Sequence, residues 1–403
     1  MLDLSATIFP SLFAGLALLF IAIYTLTIPG RAAAYARLII SIPAILAFWD
    51  AGFGPYDISR RVAAGPATLG FYCIMRIIDT CIVSLGDEQP PQWIIRGKAI
   101  PIPTTTWGRV VYSTDLLTAV RGNSWFPDRH WDFLPSSMAP GRFKPTSRSQ
   151  FLRDRARTLV IYSITLDVLD TISKTRVWDS KLAHPVSSLP FHLHFLYSMC
   201  LCGLTFLSNS FPYTITAVIC VSLGSHPDTW QPIYDSPLTT ISLADFWTRR
   251  WHLTYRRIFT RAAHYPWFIA SKYTSPWTAN VVRIFAVFCT TTLFHLLVMY
   301  RLPVNEQFPH HFLDTTVLAC FLLQPVGLLV ESLIVTPLTQ ALPPFARDAV
   351  RRVWVWGFML WTGSFWCDVW VRRGMCDRVE GGTNFSLIRS FNWGPLNPYV
   401  KWE

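Results

Sequence analysis

The chain has 403 residues, of which 51% are hydrophobic and 15% charged, and its 35 Lys and Arg against 24 Asp and Glu give a net charge of +11. With a mean hydropathy of +0.32, this exceeds the apolar content of an ordinary soluble domain and argues for a polytopic membrane protein. The basic residues cluster between apolar segments and form no single stripe, so membrane orientation is expected and a nucleic-acid partner is not.

Pro10 to Ile28 is a run of 19 uncharged residues, close to the ~20 that cross a hydrocarbon core. With no basic residue before it, it reads as a retained first helix and not as a cleaved signal. Leu38 to Trp49, at 12 residues, reads as a short, tilted or partly inserted helix. Ala67 to Leu85 is a span whose Arg76 and Asp79 are three apart, so they are expected to neutralise each other on one helical face.

Residues 86–157 are polar, basic and rich in Pro, which predicts a long membrane-flanking loop of little regular structure. Within it Thr114 to Val120 can start a short helix. Thr158 to Ile172 is a further span, with Asp167 and Asp170 expected at interface water. Leu189 to Leu223 offers 35 residues without formal charge around Pro212, which suits two spans, or one span and a re-entrant piece. Val281 to Tyr300, Thr315 to Val335 and Val353 to Val371 complete the spans, and residues 372–403 form a polar tail. The expectation is an all-α polytopic membrane protein of about seven to nine transmembrane helices, one domain over 1–403. Positive-inside counting wants both long basic loops, before and after the Thr158 to Leu223 segments, on one side, so one of the short segments must fail to cross.

Between the spans lies the stretch around which the chain is organised, Ser242 to Arg261, SLADFWTRRWHLTYRRIFTR. Ser242 followed three residues later by Asp245 is a helix-start signature. At 100° per residue, Trp247, Trp251, Tyr255, Ile258 and Ala262 share one arc. Arg249, Arg250, Arg256, Arg257 and Arg261 spread over the other side, with His252 at the seam. A helix with an aromatic face and a cationic face suits anionic headgroups or a polyphosphate.

SLADFWTRRWH resembles the SL-x-DFW-x-RRWH signature of the wax-synthase-like branch of the membrane-bound O-acyltransferases. Three further segments agree with that family in order: TDLLTAVRGNSW at Thr114 to Trp125, the apolar helix VFCTTTLFHLL around His295, and FLLQPVGLLVE at Phe321 to Glu331. The resemblance covers roughly 105–375. One departure is Thr290, Thr291 and Thr292, where many relatives have a Ser-Gly pair. The resemblance implies an acyl-CoA-dependent O-acyltransferase of the endoplasmic reticulum with His295 as catalytic histidine. It is most like fungal acetyltransferases that act on hydroxylated terpenoid or meroterpenoid natural products. Wax synthesis from long-chain acyl-CoA and fatty alcohol is the alternative within the enzyme class, and a non-catalytic lipid-binding or transport protein the alternative outside it.

From the residues alone, His295 stands well inside a predicted span, where an ionisable group is a functional candidate. The competing reading is a histidine hydrogen-bonded to Thr291 or Thr292 one turn earlier. As a base it would take the proton of an acceptor hydroxyl while the oxygen attacks the thioester, with no covalent acyl-enzyme. By the resemblance His252 lines the same tunnel and orients the thioester or acceptor. Arg249, Arg250, Arg256 and Arg257 are candidates for the CoA phosphates or for lipid phosphate. Gln324 and Glu331, seven apart, suggest a structural polar contact. No metal site is expected: the nine cysteines form no CxxC pair, and His192, His194, His310 and His311 lack companion ligands.

Overall fold

The computed structural model describes residues 8–56, 60–133, 147–176, 178, 182, 184–302, 312–376 and 386–391. His310, His311, much of the polar tail and the chain end at Lys401 to Glu403 lie outside them. In chain order the elements are α1 (Ile8–Leu26), α2 (Arg31–Phe53), α3 (Arg60–Cys81), strands β1 (Trp93–Ile95) and β2 (Lys98–Ala99), α4 (Thr106–Thr118), β3 (Arg129–Trp131), α5 (Arg148–Ser173), α6 (Phe191–Ser222), α7 (Leu243–Asp245), α8 (Arg256–Ala262), α9 (His264–Tyr273), α10 (Pro276–Arg301), α11 (Thr315–Val330), α12 (Thr336–Gln340), α13 (Pro344–Arg372) and α14 (Leu387–Ser390). The architecture is an all-α polytopic membrane fold with one small sheet. Among the described residues six stretches are long and apolar enough to cross a bilayer: Ile8–Leu26, Arg31–Phe53, Ala63–Gly86, Phe191–Ser222, Pro276–Arg301 and Thr315–Gln340. Helices α5 and α13, of 26 and 29 residues, match them in length and carry more charge.

By its internal contacts the chain divides into two compact units, Met1–Phe143 with His252–Arg301, and Lys144–Trp251 with Leu302–Glu403. In the first, α1, α2 and α3 pack around Ile23, Phe48 and Ile77, all without exposed surface. Small residues let the helices approach: a Cβ added at Gly70 would lie 2.8 Å from the Phe48 carbonyl and 2.9 Å from the Gly52 Cα. Without a hydrophobic drive between lipid-bathed helices, such close backbone packing is what holds them. In the second unit, the same device serves α11 and α13, where Gly327 lies under the Phe358 ring.

Several expectations change. The 12-residue segment at Leu38 to Trp49 is the middle of α2, a full 23-residue helix. The loop at 86–157 is not irregular: strands in the antiparallel order β2-β1-β3 and helix α4 enclose an aromatic core of Trp93, Tyr112, Trp131 and Phe133. Thr114 to Val120 does not start a helix but falls at the end of α4, which Thr105 caps by accepting from the Gly108 N–H at 3.2 Å. Pro135, Pro140 and Pro145 lie outside the described residues.

Leu189 to Leu223 forms neither two spans nor a re-entrant piece, because α6 runs unbroken through Pro212 for 32 residues. Nor does Asp170 reach interface water, while Asp167 is partly exposed. Asp170 is buried and accepts from Lys174 Nζ at 3.1 Å and Arg389 Nη2 at 2.7 Å, while Asp167 takes the Ile388 N–H at 3.0 Å. A carboxylate placed so has its hydrogen-bonding capacity met by protein groups instead of water. Arg76 and Asp79 form no direct ion pair either, although the Arg76 charge acts on Asp79. Arg76 donates to the carbonyls of Leu116 at 2.8 Å and Ala119 at 3.2 Å, and Asp79 finds other partners.

Candidate active site

The stretch Ser242 to Arg261 is not one helix. It is a single turn, α7, followed by a wide π-type turn over Phe246–Arg250, a reversal at Trp251 to Tyr255, and then α8. The Ser242 start signal holds, since its hydroxyl accepts from the Asp245 N–H at 3.3 Å. The larger anchor is Glu331. Its buried carboxylate accepts from the Ser242 hydroxyl at 2.9 Å, the Leu243 N–H at 2.6 Å and the Ala244 N–H at 3.2 Å. An anion there satisfies backbone donors that a helix start leaves open.

Two turns earlier, on α11, Gln324 accepts from the Trp247 indole at 3.1 Å and donates to Thr362 Oγ1 at 2.9 Å. Asp245 does not cap the turn. It pairs with the Arg250 Nε and lies 3.4 Å from Arg249 Nε. Arg250 also donates to Thr239 Oγ1 at 2.6 Å and the Ser236 carbonyl at 3.0 Å. The side chain of Arg249 is 64% exposed.

His252 adopts a left-handed backbone with φ of 45°, a conformation uncommon outside glycine and one that clusters at functional sites. Its carbonyl accepts from the Tyr255 N–H at 3.0 Å, which closes the reversal. Its ring is half-buried, and burial pushes its pKa down to about 4, so it is neutral at physiological pH.

Beyond the reversal, α8 turns its cations inward. Arg257 Nε donates to Asp79 at 2.8 Å and its guanidinium covers the Phe133 ring at 4.3 Å. Arg261 bridges Asp79 at 2.6 Å and Asp87 at 2.9 Å. Arg256 stands half-buried at the first turn of α8. The open cationic face expected from the helical wheel is therefore largely internal, because the helix breaks and α8 docks on α3.

His295 lies on α10, six residues before its end at Arg301. Its Nδ1 is 2.7 Å from the Thr291 carbonyl. A carbonyl only accepts, so Nδ1 bears the hydrogen, and in the neutral ring Nε2 has the lone pair. The hydroxyls of Thr291 and Thr292 each bond back to their own helix, at Val287 and Phe288. His252 and His295 belong to the same unit and are near enough to interact electrostatically. A chain of rings joins them: His252 to Tyr255 at 5.6 Å, Tyr255 to Phe294 at 5.5 Å, and Phe294 beside His295.

Asp115 is a residue whose role the sequence reading did not specify. Fully buried, it accepts from the Trp93 indole at 2.7 Å, the Ser124 hydroxyl at 2.7 Å and the Trp125 N–H at 2.8 Å, and so closes the RGNSW turn. The acid within the TDLLTAVRGNSW motif was the signal. Among the described residues no three His, Cys, Asp or Glu side chains gather as metal ligands.

The model of the membrane bound O-acyl transferase family matches residues 230–322, the stretch that contains the clamped turn, His252 and His295. Over that stretch the chain is similar to the membrane-bound O-acyltransferases. It is similar to the acetyltransferase eriL of Hericium erinaceus, 25% identical over 294 residues, which is 72% of each chain. This acyltransferase is also similar to the acetyltransferase sirH of Emericella nidulans, 29% identical over 37% of this chain and 34% of the relative. The acetyltransferase ataH of Aspergillus terreus is 28% identical over 36% of this chain and 48% of its own. No solved structure matches it significantly.

Proposed function

We propose that this acyltransferase moves an acetyl group from acetyl-CoA to a hydroxyl of a lipophilic secondary metabolite of the terpenoid or meroterpenoid kind, within the endoplasmic-reticulum membrane. The observation that carries the reading is the pair of imidazoles from two separate elements of one unit, with the His295 tautomer set by the Thr291 carbonyl. The acceptor O–H gives its proton to His295 Nε2 as its oxygen bonds to the thioester carbonyl carbon. The tetrahedral oxyanion then collapses, the C–S bond breaks, and the proton passes from His295 to the CoA thiolate. His252, neutral and held in its reversal, orients the thioester or the acceptor. Of the four arginines expected at the CoA phosphates, Arg249 is the one whose exposure suits that role best, while Arg250 and Arg257 hold Asp245 and Asp79. The acetyl donor is supported by the acetyltransferase names of the three relatives.

The test is acetyl transfer from labelled acetyl-CoA in microsomes given hydroxylated terpenoids, comparing wild type with His295→Ala at equal protein level. A positioned general base contributes about 10²–10⁴ in rate, and a loss of that size is expected. Full activity in the variant would remove His295 from the chemistry and turn attention to His252. Long-chain esters formed from fatty alcohol, with no acetylation, would replace the reading by wax synthesis.

A further inference from the structure

We propose that the Tyr255 hydroxyl is a further catalytic group, donating a hydrogen bond to the thioester carbonyl oxygen as that oxygen gains negative charge. The inference rests on the acyl-transfer reading above. Tyr255 follows His252 by three residues and its N–H is tied to the His252 carbonyl, so the two side chains leave one rigid reversal. Four rings fix the phenol: His252 and Tyr72 edge-on at 5.6 and 5.9 Å, Phe259 stacked at 5.9 Å, and Phe294 at 5.5 Å. Phe294 precedes His295 directly, which sets this ring between the two histidines in the contact chain.

Among the described residues no group hydrogen-bonds the Tyr255 hydroxyl. A phenol packed among rings ordinarily finds a partner for its O–H. Elsewhere in this chain that is the case: Tyr112 donates to the Pro91 carbonyl at 2.5 Å, Tyr213 to the Gln231 carbonyl at 2.5 Å, and Tyr56 to Asp50 at 2.6 Å. The rings hold Tyr255 in place, and the residue is only half-buried, so its one polar atom is open to something that is not protein.

The chemistry of the transfer says which atom that is. The acceptor alcohol gives its proton to His295 and needs an acceptor, not a second donor. The thiolate takes the same proton back. Only the carbonyl oxygen gains charge without gaining a proton, so a fixed donor lowers the barrier there. Burial pushes the phenol well above its ordinary pKa, which keeps it protonated across the working range. The phenol retains its hydrogen throughout the step.

The test is steady-state kinetics on the full-length protein in membranes, with acetyl-CoA and an acceptor that the wild type turns over. Tyr255→Phe retains the ring and its four neighbours and loses only the hydroxyl. Removing one oxyanion donor costs about 10²–10³ in kcat, and a loss of at least about 10² is expected, with KM for acetyl-CoA within about threefold. Replacing Tyr255 by 3,5-difluorotyrosine lowers the phenol pKa at nearly constant shape, so its rate should fall at alkaline pH where the wild-type rate is still flat. A Tyr255→Phe kcat within about threefold of wild type, or a defect confined to KM, overturns the inference. Should the Phe variant fail to accumulate, the difluorotyrosine profile decides, and a profile like the wild type's overturns it. An active wild type, an inactive His295→Ala and an active Tyr255→Phe would sink this inference alone. A wild type that transfers no acyl group from any acyl-CoA would sink the parent reading and this one with it.

Discussion

Truncating Glu331 to Ala should detach the start of the signature segment from α11. Its carboxylate, 7% exposed, accepts three hydrogen bonds, from the Ser242 hydroxyl and the Leu243 and Ala244 N–H groups. Each donor left buried without a partner costs about 1–3 kcal/mol. The serine can turn to another acceptor and some water can enter, so about 3–5 kcal/mol in total is expected, in line with breaking other buried charged contacts. For a folding unit of this size 1 kcal/mol moves the thermal midpoint by about 2–4 °C, which predicts a fall of roughly 6–20 °C. Glu331→Gln retains one acceptor oxygen and loses the charge, so it should fall between wild type and Ala. The assay is thermal unfolding of detergent-solubilised protein followed by size exclusion, with acetyl transfer measured on the same samples. If Glu331→Ala melted within about 2 °C of wild type, the clamp would hold no stability and the reasoning would fail.

Asp79→Asn should weaken the dock of α8 on α3, because Arg257 and Arg261 would lose their shared counter-ion. Breaking a buried pair from one side costs about 3–5 kcal/mol, and acetyl transfer should fall with the melting temperature; a variant with unchanged melting would refute it. The His252 ring gives a pH prediction. Its pKa is about 4 in the fold against 6.5 in an exposed chain, so on acidification the unfolded state takes the proton first. The stability from its neutral burial is therefore complete above about pH 6.5 and drains as pH falls from there toward 4. The slope is at most about 1.4 kcal/mol per pH unit, trimmed by solvent at the half-buried ring. Wild type should lose more melting temperature between pH 7 and 5 than His252→Asn does, and equal losses would count against it. Finally, at φ of 45° an alanine is strained by about 1–2 kcal/mol where glycine is not. His252→Gly should thus melt above His252→Ala, the reverse of their order in an ordinary helix.

Much of the fold was legible because a membrane span is a matter of length and charge. The apolar runs at Pro10 to Ile28, Ala67 to Leu85, Val281 to Tyr300 and Thr315 to Val335 all fall on spanning helices. Where a run was short or long the sequence misled, since helix ends outside the bilayer are polar and invisible to hydropathy. Arg31 to Arg37 extend α2 beyond its apolar centre, and Pro212 is tolerated in α6. Reading α6 as one helix reduces by one the crossings counted between the two basic loops. Were the charged helix α5 to cross as well as α6, the chain would return to the side it left, as the basic loops on either end require. The folded segment between Trp93 and Phe133 was missed for another reason. Its strands are two or three residues long and its core is made by non-local ring contacts, such as Trp93 with Trp131 at 5.3 Å.

The signature stretch fails as one helix because its partners are distant in sequence. Periodicity assigns Ser242 to Arg261 to a single wheel, but Glu331 and Gln324 seize the part before Trp251, and Asp79 and Asp87 seize the part after His252. Two segments anchored independently leave the joint no freedom to continue a regular helix. The joint falls at His252, where the boundary between the two compact units also lies. A left-handed residue there costs roughly 1–3 kcal/mol, less than the charged contacts on either side contribute. The histidine at the seam of the predicted wheel is thereby held by a reversal and not by a helix face. That reversal is what sets Tyr255, counted among the packing aromatics on the wheel, in the ring chain that leads to His295.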